Sequence, residues 1–221
     1  MTEDQTADDP ESLAHEEKIK ARHELIAVIL LSVTTILTAW SAFESSKWGG
    51  AMSISFSQAS SARIEASRLD GRADQRTAVH VDLWVQWLDA EGYNRAELAR
   101  EISDRFPEPL ATAHEEWLET DPDSLKTDSS TPFEMPSYVI EERTLAQEAD
   151  ERADAKFAEA LRNNQRGDNY TLLTVLFASV LFFTAMSGRL HRRRSRWAML
   201  LMGMGLALVG VVLLSTFPKL I

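Results

Sequence analysis

The chain has 221 residues, with 34 acidic against 23 basic side chains, a net charge of −11 and no cysteine. Zero cysteine excludes disulfides, thiolate metal centres and cysteine nucleophiles, and the acidic balance argues against a nucleic-acid partner, which needs clustered Lys and Arg. The charges are unevenly spread: Leu25–Phe43, Asn169–Gly188 and Trp197–Pro218 carry none, in runs of 19, 20 and 22 residues, which excludes an ordinary soluble domain and points to a membrane protein.

Residues 1–12 (MTEDQTADDPES) are acidic and polar and read as a disordered tail. Residues 13–43 form a lead-in and the first transmembrane helix. Leu13, Ile19 and Leu25 recur among charges, so the helix is expected to begin before the bilayer, with Ser12 as a cap. At about 1.5 Å per residue the uncharged run just crosses a hydrocarbon core of about 30 Å. A cleaved signal peptide is the competing account, because Ala39-Trp-Ser41 faintly resembles a small-x-small cleavage site. The apolar run is longer than the usual h-region, and this disfavours cleavage.

Residues 44–168 are rich in Ala, Glu, Arg and Gln and carry 26 acids against 14 bases. Met52, Phe56, Ala59, Ala66, Leu69 and Ala73 recur at spacings of three, four or seven, as do Ala146, Ala149, Ala153, Phe157 and Ala160. Two such stripes, each adjoining a span, predict helices leaving the bilayer as a long antiparallel hairpin with a coiled-coil-like seam. The prolines between Tyr93 and Ser137 place a broken tip there, with short helices near Arg95–Arg105 and Glu108–Glu119 and a loose loop at 120–130. Val79, Leu83, Trp84, Trp87 and Leu88, with Phe106, Trp117, Leu118, Phe133 and Tyr138, form either a small core at that tip or a partner-binding patch. The net charge of this region suits a solvated helical surface or an electronegative vestibule.

Residues 169–188 and 197–218 are the second and third transmembrane helices, joined by the basic loop 189–196 and followed by the tail 219–221. The loop holds Arg189, Arg192, Arg193, Arg194 and Arg196, and Lys18, Lys20 and Arg22 precede the first span. Both clusters mark a cytoplasmic side, so the N-terminus is expected inside and residues 44–168 outside. Trp40, Trp48 and Tyr170 would then mark the outer interface and Trp197 the inner one.

No metal, cofactor or catalytic constellation is recognisable. His114-Glu-Glu-Trp-Leu118 lacks the second His of a zinc-protease helix, and there is no nucleophile elbow or phosphate-cradling glycine loop. Four charges flank the outer ends of the first two spans. Glu44, Lys47, Arg166 and Asp168 are expected to form a juxtamembrane polar cluster, unless each simply reaches for the headgroups. Thr34, Thr38 and Ser41 share one face of the first span and suit either helix packing or a path through an oligomer; Gly203, Ala207 and Gly210 form a small-residue stripe on the third.

Ala39-Trp-Ser-Ala-Phe-Glu-Ser-Ser-Lys-Trp48, Gln58-Ala-Ser-Ser-Ala-Arg-Ile-Glu-Ala66, Thr131-Pro-Phe-Glu-Met-Pro136 and Asn164-Gln-Arg-Gly-Asp-Asn-Tyr170, running into Val175–Phe183, resemble a family of uncharacterised bacterial three-span membrane proteins. The resemblance implies a bacterial plasma membrane and brings no activity, ligand or functional residue. The chain is therefore expected to be an all-α, three-span protein whose partners are the lipid bilayer and either another protein or a second copy of itself. A non-catalytic interaction or scaffold subunit of the cell envelope is the first functional expectation; a self-associating channel or transport component, with the Ser/Thr face lining its path, is the second.

Overall fold

A computed structural model describes residues 10–120 and 130–220. The tail 1–9, the side chain of Ser12 and most of the predicted loop 120–130 lie outside the described residues. The described residues are helical and contain no strand: α1 (Pro10–Gly92), α2 (Ala96–Ser103), α3 (Leu110–Thr120), a 3-10 turn (Pro132–Glu134), α4 (Glu141–Arg189) and α5 (Arg193–Thr216). Helix α1 begins at Pro10, suited to a first helical turn because its missing N–H needs no partner there. No further proline occurs before Pro107, so nothing in α1 removes a backbone donor over its 83 residues. It stops where Asn94 takes a positive φ of 54° and the amide of Arg95 returns to the carbonyl of Ala90 at 2.8 Å. Asn is among the few residues that tolerate this left-handed cap.

Three helices, α1, α4 and α5, are long and apolar enough to cross a membrane. Only 11%, 28% and 28% of the residues in their most apolar windows are buried by the protein itself. Leu25, Val28, Ile29, Val33 and Ile36 on α1, Leu172, Val175 and Phe182 on α4, and Leu208 and Val212 on α5 are exposed. In water this much bare aliphatic surface would drive aggregation, whereas in lipid it is the ordinary outer face of a span.

The chain divides into two compact units. The first comprises residues 1–55 and 158–221. Its interior is Trp48, Tyr170, Leu173, Phe177, Val180, Ala207 and Leu214, with Leu30 and Leu37 packed against them. Helix α5 meets α4 closely because its inward stripe is small. A Cβ on Gly203 would lie 2.9 Å from the Thr184 hydroxyl, and one on Gly210 would lie 2.6 Å from the Phe177 ring. Gly203, Ala207 and Gly210 are all buried, so the stripe is a packing surface.

The second unit, residues 56–157, pairs the later part of α1 with the start of α4. Ala59, Ala66 and Ala73 are buried on one helix and Ala146, Ala149 and Ala153 on the other. Ion pairs flank this seam: Arg63 with Asp150 (2.9 Å) and Asp154 (2.7 Å), Arg76 with Glu142 (2.8 Å), Asp74 with Arg143 (2.8 Å) and Glu65 with Arg152 (3.3 Å). As α1 numbers rise the α4 numbers fall, so the two segments run antiparallel. Pairs at the solvent-facing rim of a seam add little stability, so they set register more than stability.

The aromatic patch at the prolines packs as a core: Trp87, Ala90, Ala99, Phe106, Leu110 and Trp117 are buried, with Leu83, Trp84, Phe133 and Tyr138 against them. Val79 and Leu118, expected in the same cluster, are exposed. The Trp117 indole donates to the Ser130 hydroxyl at 3.0 Å, and the Ser137 amide donates to the Glu116 carboxylate at 3.2 Å, joining α3 to the segment behind it. His80 Nδ1 lies 3.0 Å from the Tyr138 hydroxyl. His114 is buried edge-on to Trp87 (4.5 Å between centroids) and Phe106 (5.1 Å), and its Nε2 has no partner. Burial lowers the pKa of both histidines, and for His80 the Arg76 charge adds to the effect.

Two outcomes follow from this packing. Gly210→Ala should lower the melting temperature of the detergent-solubilised protein, because overpacking a rigid ring costs about 1–3 kcal/mol. Gly205→Ala, which meets nothing within 4 Å, should stay within about 0.5 kcal/mol; equal melting of the two would refute the close α4–α5 contact. For His80 and His114 the folded pKa lies below the unfolded value, so the unfolded chain binds more protons as pH falls below about 6.5. Stability of the second unit should drop from pH 7.5 to 5.5, followed by tryptophan emission on heating, and His114→Phe should flatten that slope. An unchanged slope in the variant would mean that His114 is not held neutral by the aromatic cage.

Candidate functional site

The polar interior of the first unit is concentrated at its two ends. At one end α1 turns Ser41, Glu44 and Trp48 inward, on the same face as Leu30, Thr34 and Leu37. This face arises from spacings of three and four, which recur on one side of a 3.6-residue helix. Ser45 approaches α4 closely: its hydroxyl donates to the Gly167 carbonyl at 3.1 Å and lies 2.9 Å from the Thr171 hydroxyl. A Cβ at Gly167 would make ordinary van der Waals contact there, 3.5 Å from the Ser45 carbonyl and 3.6 Å from Trp48 Cβ, so the approach does not depend on glycine.

Glu44 is fully buried. One carboxylate oxygen accepts from the Leu220 amide at 3.1 Å, and the other has no protein partner. The Tyr170 hydroxyl donates to the Pro218 carbonyl at 3.1 Å, and the Tyr170 ring meets Phe217 edge-on. Glu44 and Tyr170 thus fold the segment after α5 back onto the bundle.

The four charges expected as a juxtamembrane polar cluster do not pair with one another. Lys47 and Asp168 are exposed, and among the described residues no ion pair joins Glu44, Lys47, Arg166 and Asp168. Arg166 lies over the Trp48 ring at 4.6 Å and donates to Asn163 at 3.4 Å, while Asp168 accepts from Asn164 at 3.0 Å. The reason is angular. Arg166 and Asp168 share a depth, but two residues along a helix are about 200° apart, so they face different neighbours. Trp48 and Tyr170, expected at a lipid interface, are instead buried inside the protein, while Trp40 is exposed.

Thr34 and Ser41 are buried within a single copy of the chain. Thr38 is half-buried and its hydroxyl donates to the Thr34 carbonyl at 2.8 Å. This inward face packs against the protein's own helices and offers little to a neighbouring copy.

The opposite end was largely hidden in the sequence. His23 is 2% exposed although it sits among charged residues. Its Nδ1 lies 3.1 Å from an Arg196 guanidinium nitrogen, and its ring meets Trp197 edge-on at 5.5 Å. Burial and the Arg196 charge both lower its pKa. Arginine can only donate, so Nδ1 is the acceptor, and the neutral ring carries its proton on Nε2. That Nε2 is buried without a partner, as is Arg196 Nε. A cavity of about 430 Å³ opens here, lined by Lys20, His23, His191, Arg193, Arg196 and Trp197, with Glu17 as its acid. Of the remaining loop arginines, Arg189 ends α4, Arg192 precedes α5, and Arg194 is exposed. The five arginines signalled sidedness by number alone; nothing in their spacing marked Arg196 as the partner of His23.

No protein-family model, no curated protein and no solved structure matches the chain.

Proposed function

We propose that this is a non-catalytic interaction or scaffold protein of the bacterial plasma membrane, with its N-terminus in the cytoplasm and residues 44–168 outside. The observation that carries this reading is the second unit, which has an aromatic core of its own, built from the last turns of α1 with α2, α3 and the 3-10 turn. A chain needing only a membrane anchor has no use for about a hundred further residues packed in this way. Sidedness rests on the arginines of 189–196 and on Lys18, Lys20 and Arg22. The channel alternative is the weaker one, because Thr34 and Ser41 are occupied in packing within one copy.

The absence of cysteine makes each introduced thiol unique. In intact spheroplasts a membrane-impermeant maleimide should label Leu98→Cys and spare Ser195→Cys, with both labelled after lysis. The reverse pattern would invert the orientation. A photo-crosslinking side chain at exposed Val85 or Leu98 should capture a second polypeptide in native membranes more often than one at Ile36. Adducts absent from both second-unit positions would contradict the scaffold reading.

A further inference from the structure

The cavity between the lead-in of α1 and the start of α5 has a chemical bias that its role as a topology marker does not explain. Positive-inside charges need only be near the membrane and solvated. Here two of the donors are instead withdrawn from water without an acceptor: Nε2 of His23, on a side chain that is 2% exposed, and Nε of Arg196. A buried donor left unpaired costs about 1–3 kcal/mol, so the site is incomplete as it stands. Among the described residues that line it, Lys20, Arg193 and Arg196 bring three positive charges against the carboxylate of Glu17. The first turn of α5, which opens at Arg193 with no side-chain cap, adds unpaired amide N–H groups at the same place. Among the described residues every unmet group here is thus a donor, and the lining is net positive. The missing partner is an anion with several acceptor oxygens.

We infer that this cavity binds a phosphoryl group, with His23 Nε2 and Arg196 Nε donating to its oxygens and Lys20 and Arg193 balancing its charge. Two sources share that chemistry: the headgroup of an anionic phospholipid and a free phosphate-bearing solute. The lipid source rests on reading the three apolar helices as membrane spans, which puts the cavity at the depth of the headgroups on the arginine-rich side. Trp197, whose ring closes one wall, suits that depth, since an indole favours the boundary between hydrocarbon and water. His23 is then a binding residue whose neutral tautomer is set by Arg196.

The test uses the full-length protein in a neutral detergent. Its melting temperature is titrated with inorganic phosphate, with dihexanoyl phosphatidylglycerol and with dihexanoyl phosphatidylcholine as the zwitterionic control. Stabilisation by phosphatidylglycerol above that by phosphate or phosphatidylcholine assigns a lipid headgroup; equal stabilisation by phosphate and phosphatidylglycerol assigns a free phosphate-bearing solute. The Lys20→Gln/Arg193→Gln variant should weaken the response about tenfold in apparent affinity. Arg192→Gln/Arg194→Gln removes the same charge outside the cavity lining and should leave it unchanged, which controls for bulk electrostatics and for folding. No stabilisation by any probe, or equal weakening in both double variants, overturns the site. Sedimentation of the protein with carbonate-washed membranes is read separately: release into the supernatant would fail the membrane reading alone, because the phosphate titration needs no bilayer.

Discussion

The structure depends on one constraint: the outward faces of α1, α4 and α5 are aliphatic and uncovered, so they require hydrocarbon as solvent. Lipid offers no hydrogen bonds, and every backbone group within it must be paired internally. Long unbroken helices satisfy that demand, and the spans contain no proline before Pro218. The same constraint acts on the hydroxyls. Thr35 donates to Leu31, Thr38 to Thr34, Ser179 to Val175 and Thr184 to Val180, each to a carbonyl one turn back. The hydroxyls of Thr34 and Ser41 are instead buried without a hydrogen-bond partner among the described residues, held by packing on the inward face of α1.

Association of the spans cannot draw on the hydrophobic effect, since lipid is as apolar as the helices. Close contact replaces it. Gly203 and Gly210 let α5 settle against Thr184 and Phe177, and α1 meets α4 through the hydrogen bond from Ser45 to the Gly167 carbonyl. At the ends of the first unit, polar contacts add specificity: Glu44 and Tyr170 hold the segment after α5, and Arg196 holds His23. The second unit follows the rules of water. It has a tryptophan-rich core, alanines at the helix seam and charges on the rim.

Much of this organisation was legible in the residues. Charge-free length gives the spans, and the recurrence of Ala59, Ala66 and Ala73 with Ala146, Ala149 and Ala153 marks the faces that meet. The expectation of neutralising charges at the outer end failed because sequence position fixes depth along a helix far better than it fixes the neighbour around it. Glu44 was expected among the charges of a juxtamembrane cluster, yet it continues the inward face of Leu30, Leu37 and Ser41. His23 and Arg196 are 173 positions apart, and each is surrounded by other charges that mask it. Their pairing becomes visible only once α1 and α5 are side by side. The cavity they line was therefore absent from any sequence pattern, whereas the cluster of arginines itself was plain.

The central claim is that hydrocarbon bathes the exposed apolar faces, and collision accessibility measures this directly. Nitroxides on single cysteines at Val28, Ile36, Val175 and Leu208, all exposed in the fold, would be read in proteoliposomes against dissolved oxygen and a water-soluble nickel chelate. The account predicts high accessibility to oxygen and low accessibility to nickel at all four positions, with the opposite at Leu98 in the second unit. High nickel accessibility at Val28 and Ile36 would show water on those faces and contradict it.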